Sequence, residues 1–418
     1  MSASPRSTRI SARRATSRNC SASSAPTRRR AKARRHPPVT DLGRQQAALD
    51  RAFMRQALNF GARGQGTTGT NPCVGAIVTQ DTADGPVIVA RGHTQPGGRP
   101  HGEANAFARA VSEVAGGTLY VTLEPCAHRS IRGATPCVEL TLLSGVRRVV
   151  SAMEDPNPHI SGLSHALLRT AGLAVTVGVL EGEARHTHRG YLMRVTQGRP
   201  MITFKVARTA DGYAGGAGGT RLAVSGPEAN GWVHLQRARH DAIMLGIGSV
   251  LADDPLLTVR LPGMAARSPI RVILDSHLRL PLASQLVKTV AQVPVWVIAT
   301  ESAPVEREAA LVAAGVEVMR VSAGADGHLD LGEALQLLGT RGLTRIFSEG
   351  GPTVAERLAV AGLLDEVIVS TSPNALGQPG IVAVRPALAA LLADPDLYTL
   401  AEAGFIGHDR FEHFTRTG

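Results

Sequence analysis

The sequence predicts an α/β protein of two domains, on three observations. At 418 residues the chain is too long for one core of common size, so two domains of roughly 150 to 200 residues are expected. Strand and helix patterns alternate from about residue 50 onward. Near Gly198, in "TQGRPM", the alternation breaks and then starts again. The expected division is a basic tail over 1–45, one domain over 46–197 and a second over 198–418. No internal repeat relates the halves.

The elements of the first domain follow in order. "RAFMRQALNFGARG" (51–64) spaces its apolar residues as an amphipathic helix, and "VGAIVT" and "GPVIVARG" read as a strand pair. "HGEANAFARAVSEVA" (101–115) reads as a helix and "GTLYVTLEPC" as a strand that ends in a proline and a cysteine. After the turn-rich "AHRSIRGATPC" come a helix "VELTLLSG", a strand "VRRVVSAM", a helix around "SHALLRTAG" and a strand "LAVTVGVL". Helices covering a mostly parallel sheet are expected. In the second domain "MITFKVART", "HDAIMLGIG", "IRVILDS", "VPVWVIAT", "RIFSEGG" and "LLDEVIVSTSP" read as strands of a unit of the same class.

Composition excludes several classes. No run approaches 18 apolar residues, the length a membrane span needs. Four cysteines, Cys20, Cys73, Cys126 and Cys137, are too few and too scattered for a disulfide framework, which favours a reduced protein with a metal site. The net charge of +11 suggests nucleic acid until it is located. Residues 1–40 hold ten arginines, Lys32 and no acid, and the basic residues outside them equal the 34 acidic ones. The body of the protein is formally neutral, so a nucleic-acid partner is not the expectation. The tail lacks aromatics and periodic apolar residues and is expected to be disordered. Organellar targeting and a nucleic-acid arm are the alternatives for it, with the cytoplasm as the default compartment.

"RPHGEANAF" poses the chemical question. His101 and Glu103, two apart at a helix start, point in different directions and cannot both clamp one ion. A hydrolytic zinc site takes three protein donors and leaves one position for water. His101, Cys126 after a strand and Cys137 after a loop could supply one nitrogen and two sulfurs, leaving Glu103 to shuttle a proton. His-x-Glu with Pro-Cys-x-x-Cys marks zinc nucleobase deaminases, but here ten residues separate the cysteines. Read alone, the same residues describe polar groups on a turn and two buried thiols. In the second domain no complete Gly-x-Gly-x-x-Gly occurs, since "GAGGTR" and "GIGSVL" fail at the last glycine. "SEGGPTVAERL" instead places two glycines between a strand and a helix, where backbone N–H groups can face a phosphate.

"NPCVGAIV", "HTQPGGRPHGEANAF", "TLYVTLEPCAH", "TPC" and "EDPNP" occur in the order of the bifunctional riboflavin-biosynthesis deaminase-reductases. The second half is similar to the reductase of that family through "KVARTADGY", "RARHDAIMLGIGSVLADDPLLTVR", "RVILDSHLRLP" and "SEGGPTVAERL", and the resemblance spans roughly residues 50–385. It implies a cytidine-deaminase-like α/β/α zinc domain and a dihydrofolate-reductase-like α/β domain. It also implies a pyrimidine ribosyl phosphate substrate, one zinc ion per chain, NADPH and, as in similar proteins, a homo-oligomer. By position it makes His101, Cys126 and Cys137 the zinc ligands, Glu103 the proton carrier and Asn71 a pyrimidine contact. It places NADPH at Ala207, Ser249, Asp253, Ser276, Gly351, Pro352 and Thr353, and substrate at Arg237, Leu257, Arg260 and Glu349. Arg237 and Arg260 have the forked donors that suit a phosphate. Asp211 is expected to shape a turn and Cys73 to be core. His128 matches a histidine that the family does not use on zinc.

The chain departs from the family in four places. Gly102 stands where Ala is common, and the loop from Cys126 to Cys137 is two residues longer than usual. Ser249 replaces a common Thr and keeps its hydroxyl. "RLAVSG" replaces a common Trp-Ile-Thr segment, so residues 220–225 carry no assigned role.

Overall fold

The computed structural model describes residues 41–127, 133–158, 160–217 and 223–417. The basic tail through residue 40, His128 and residues 220–222 lie outside them. Residues 41–45, placed in the tail by the sequence, form the first turn of α1 (Asp41–Gly61). That helix buries Asp50, Phe53, Met54, Ala57 and Leu58, a stripe at helical spacing. Asp50 is held by both guanidinium nitrogens of Arg148 (2.8 and 2.6 Å) and by the Tyr120 hydroxyl (3.0 Å), which fastens α1 to the sheet beneath.

That sheet has β1 (Gly75–Thr82), β2 (Gly85–His93), β3 (Thr118–Val121), β4 (Arg148–Ser151) and β5 (Ala174–Val177) in the order β2-β1-β3-β4-β5. Around it run α2 (Gly102–Ala108), α3 (Cys137–Leu143), α4 (Leu163–Thr170) and α5 (Glu181–Gln197). β1 is antiparallel to β2 and β3, whereas β3, β4 and β5 are parallel. The sheet is therefore evenly mixed rather than mostly parallel. A tight hairpin can join only antiparallel strands, while the crossovers through α3 and α4 return the chain in parallel. α2 is also shorter than the helix expected over 101–115. Arg109 leaves helical geometry, and the Val111 N–H donates to Val89 O at 2.9 Å. Residues 109–113 are exposed, so further turns would have had no apolar face to bury.

The second sheet belongs to a series of strands β6 (Met201–Arg208), β7 (Tyr213–Gly216), β8 (Ala242–Gly246), β9 (Ile270–Leu274), β10 (Val295–Thr300), β11 (Glu317–Val321), β12 (Arg345–Ser348), β13 (Glu366–Thr371), β14 (Gly380–Val382), β15 (Tyr398–Ile406) and β16 (Asp409–Arg416). Nine of them form one sheet in the order β11-β10-β9-β8-β12-β6-β13-β16-β15, and β7 pairs with β14. The helices are α6 (Pro227–Ala238), α7 (Ile247–Asp253), α8 (Gln285–Lys288), α9 (Val305–Ala313), α10 (Leu331–Thr340), α11 (Pro352–Val360) and α12 (Pro386–Ala393). All six expected strands are present, and the central ones bury Ile202, Phe204, Met244, Ile346 and Phe347 completely. β11 and the β15–β16 hairpin were not anticipated, because the outer strands are half or mostly exposed and lack an apolar run. Among the described residues no helix is long and apolar enough to cross a membrane.

The described residues from 45 onward form one compact unit. Within it α5, left unassigned by the sequence, joins the two sheets. It carries Glu181 and Glu183 in its first turn and stops at Gly198 in the left-handed region (φ 71°). Its Arg194 Nε donates to Gly339 O at 2.9 Å, and an Arg189 guanidinium nitrogen lies 3.8 Å from Glu366 Oε1. Glu366, on β13, accepts from the Thr203 hydroxyl at 2.9 Å and faces His413 Nε2 at 3.6 Å. Burial alone would raise the Glu366 pKa, but His413 and the charges of Arg345 and His186 hold it far below the ordinary value.

A depressed carboxylate stabilises the fold above its unfolded pKa, and the contribution is lost as pH falls toward the folded one. Glu366→Gln is therefore predicted to lower stability at pH 7 by on the order of 3 kcal/mol. The difference from the unmodified protein should shrink below about pH 4.5. Urea unfolding of both proteins across this range checks it, and a gap independent of pH would contradict it.

Candidate active sites

Three separate segments deliver the first set of side chains. His101 is the N-cap residue of α2, Cys126 follows β3 after Pro125, and Cys137 opens α3. Their donor atoms all lie within 4.8 Å of one another, with His101 Nδ1 at 3.5 Å from Cys126 Sγ and 3.4 Å from Cys137 Sγ. The long loop between the cysteines does not separate them. Its ends are tied together by Val138 N–H to Cys126 O (3.1 Å) and Cys137 N–H to Cys126 Sγ (3.4 Å). The hydrogen bond from the Cys137 thiol, with help from His101 and the Cys137 N–H, pulls the Cys126 thiol well below the usual range against the effect of burial. Cys73 stands apart from this set, 3.3 Å from the Thr68 hydroxyl.

Two further groups complete the site. Glu103 is 2% exposed, and its Oε2 has no hydrogen-bond partner. Burial, aided by the charge of Cys126, pushes its carboxyl up to about 7. Asn71 Oδ1 lies 3.3 Å from His101 Nε2, on the far side of the ring from the sulfurs. One imidazole nitrogen and two sulfurs at mutual contact, beside a buried carboxylate oxygen without a partner, are the donor set of a catalytic zinc with a position left open. The residues present fit the ion. Gly102 is required by packing, since a Cβ there would lie 2.6 Å from Val74 O.

The second set lines a cavity of about 1140 Å³. It opens where β6, β8, β9 and β12 end, the edge at which open parallel sheets bind ligands. Ala207, Ser249, Asp253, Ser276, Gly351, Pro352 and Thr353 all line it, as do Arg237, Leu257 and Glu349. Gly351 is the N-cap residue of α11 and Pro352 its first residue, so the helix start faces the cavity. Backbone N–H groups there, with the Ser249 and Ser276 hydroxyls, fit the phosphates and ribose of a dinucleotide.

Three details differ from the sequence reading. Arg260 is not in the lining; it is exposed, and its backbone N–H donates to His234 Nδ1 at 3.4 Å. The fork of Arg237, expected on a phosphate, is occupied by Glu349 through bonds of 2.6 and 2.9 Å. Lys205 was not singled out, yet it lines the cavity 3.4 Å from the Ser225 hydroxyl, and burial lowers its pKa. A lone lysine inside the apolar run of β6 was the available signal. Asp211 shapes a turn as expected, accepting from Thr209 Oγ1 (2.6 Å) and from the backbone of Leu376 and Gly377 (both 2.9 Å).

Comparisons with known proteins match both halves of the chain. Residues 47–153 match the cytidine and deoxycytidylate deaminase zinc-binding region, and residues 200–393 match the RibD C-terminal domain. The riboflavin biosynthesis protein RibD of Escherichia coli is 34% identical over 373 residues, covering 86% of this chain and 97% of the relative. That of Aquifex aeolicus is 33% identical over 330 residues, covering 79% and 88%. The solved structure of Acinetobacter baumannii RibD superposes with a TM-score of 0.76 at 30% identity, covering 89% of this chain and all of that one. A Thermotoga maritima diaminohydroxyphosphoribosylaminopyrimidine deaminase/5-amino-6-(5-phosphoribosylamino)uracil reductase gives 0.75 at 28% identity with the same coverage. The chain belongs to the RibD family of riboflavin-biosynthesis proteins, bifunctional enzymes that join a zinc-dependent deaminase to an NADPH-dependent reductase.

Proposed function

We propose that this chain hydrolyses the ring amine of 2,5-diamino-6-(5-phosphoribosylamino)pyrimidin-4-one. It then reduces the ribosyl group of the resulting 5-amino-6-(5-phosphoribosylamino)uracil to ribityl. One observation carries the reading. A His-Cys-Cys set beside a buried glutamate shares a chain with a cavity lined by ten of the eleven residues expected at the reductase site. The deaminase is assigned to residues 46–197 and the reductase to 198–418, a division supported by the two family matches.

His101, Cys126 and Cys137 would hold the zinc ion, which when bound would make water a nucleophile near neutral pH. Glu103 takes one proton from the attacking water at its unpartnered Oε2 and passes it to the ring nitrogen, then takes the second from the hydroxyl added to the ring carbon and passes it to the departing ammonia. Its burial supports this role, because a carboxyl raised to about 7 can both take and return a proton at neutral pH. Asn71 orients the His101 ring through Nε2 and offers its amide to the pyrimidine edge.

In the reductase, the residues lining the cavity would hold NADPH, which when bound would supply the hydride that reduction of the ribosyl group needs. Gly351, Pro352 and Thr353 present the start of α11 to the cofactor phosphates, with Ala207, Ser249, Asp253 and Ser276 lining the rest of its path. Arg237 holds the Glu349 carboxylate at the substrate end beside Leu257. Arg260, exposed outside the lining but within reach of the charges of Arg237 and Glu349, meets the ribosyl phosphate as it enters.

With the undeaminated pyrimidine, the unmodified protein should consume NADPH, followed by absorbance. Glu103→Gln should abolish this consumption, and the already deaminated substrate should restore it. Consumption by unmodified protein only with the deaminated substrate would leave a reductase alone. Gly102→Ala, whose methyl group meets Val74 O, should displace the start of α2. Deamination is expected to fall by on the order of tenfold while the reductase step is untouched. Wild-type deaminase rates in that variant would contradict the packing argument.

A further inference from the structure

We infer that the reductase half positions the deaminase site, with Gly66 and Arg267 as positioning residues that hold residues 63–71, and through them Asn71, against His101. The inference rests on the deaminase reading above.

The segment 63–71 links α1 to β1, and its inner side is tied to the zinc ligands. Gly97 N–H donates to Thr67 O at 2.8 Å and the Thr68 hydroxyl to Asn71 O at 2.8 Å. Asn71 Oδ1 then meets His101 Nε2 at 3.3 Å. Its outer side is gripped by the other domain. One guanidinium nitrogen of Arg267 donates to Gln65 O at 2.7 Å and Arg63 O at 3.2 Å. Gly66, with φ at 74°, approaches the chain so closely that a Cβ would lie 2.8 Å from Arg239 C and His240 N. No other residue type satisfies both that backbone angle and that contact without strain.

The two gripping elements are the ones that build the reductase pocket. Residues 238–240 end α6 one step after Arg237, which holds Glu349 in the cavity. Arg267 ends a short helical turn (Ala265–Arg267) in the loop between α7 and β9 that also carries Leu257, and Val259 N–H donates to Ser268 Oγ at 3.0 Å within that loop. Arg237 also donates to Thr258 O at 3.1 Å, joining helix and loop. One braced unit therefore faces the reductase substrate on one side and holds residues 63–71 on the other.

The consequence is specific to orientation. The Nδ1 side of His101 faces both sulfurs, so the ring's alignment depends on the partner of Nε2. Releasing residues 63–71 leaves the three ligands in place but loosens the ring and the amide that meets the pyrimidine edge.

The test uses full-length Arg267→Ala, Arg267→Lys and Gly66→Ala, measured for zinc content, for deamination and for reduction of the already deaminated substrate. Arg267→Ala is expected to lower deaminase kcat/KM by on the order of tenfold with zinc content and reduction unchanged. Cobalt-substituted Arg267→Ala should show a shifted ligand-field spectrum. Arg267→Lys should recover part of the loss, because an ammonium can still reach one of the two carbonyls. Gly66→Ala should show the same selective loss and carries the test if Arg267→Ala fails to fold. Unchanged deamination in the folded variants, or equal loss of both activities, would overturn the inference. An unmodified protein that holds zinc and does not deaminate would instead remove the functional reading beneath it.

Discussion

The structure of the first domain depends on one constraint: an imidazole and two thiols from three segments must meet at about 3.5 Å. Each segment is placed by a different element. The α2 start is lowered onto Val74 by the missing side chain of Gly102, β3 carries the chain to Pro125 and Cys126, and α3 begins at Cys137. Glu124 helps fix the turn beyond. Its buried carboxylate accepts from the backbone of Asp155, Gly162, Ser164 and His165, at 2.8 to 3.4 Å, and so caps α4 beside the second ligand. Leaving Glu103 buried with an unpartnered oxygen costs stability, and such a cost is retained where the group has work at a reacting centre.

The second domain solves a different problem. Its six parallel ladders end at one edge, and that edge is where a helix start, two serine hydroxyls and a braced Arg237–Glu349 pair come together. Ligand positioning there comes from rigid strands, while the loop after α7 supplies Leu257 in the left-handed region (φ 56°). Backbone held in that region by a non-glycine residue is uncommon and gathers at functional sites.

Much of this was legible in the sequence, for identifiable reasons. His101, Glu103, Cys126 and Cys137 stand out because zinc chemistry demands particular donor types, and those types recur in a fixed order along the chain. The strands of the second sheet were visible because central parallel strands are continuous apolar runs. α5 was not, because it is covered from two domains and has no single apolar stripe. The pairing of Arg237 with Glu349 and the grip of Arg267 on Arg63 and Gln65 join residues more than 100 positions apart. No local pattern announces such a contact. The sequence also overextended α2, since propensity cannot tell that residues 109–113 have nothing to pack against.

The convergence of His101, Cys126 and Cys137 on one zinc ion is tested most directly by X-ray absorption at the zinc edge of the purified protein. Two sulfur scatterers at about 2.3 Å and two nitrogen or oxygen scatterers at about 2.0 to 2.1 Å are predicted, with one zinc per chain. A shell of nitrogen and oxygen alone, or protein that holds no zinc, would contradict the site.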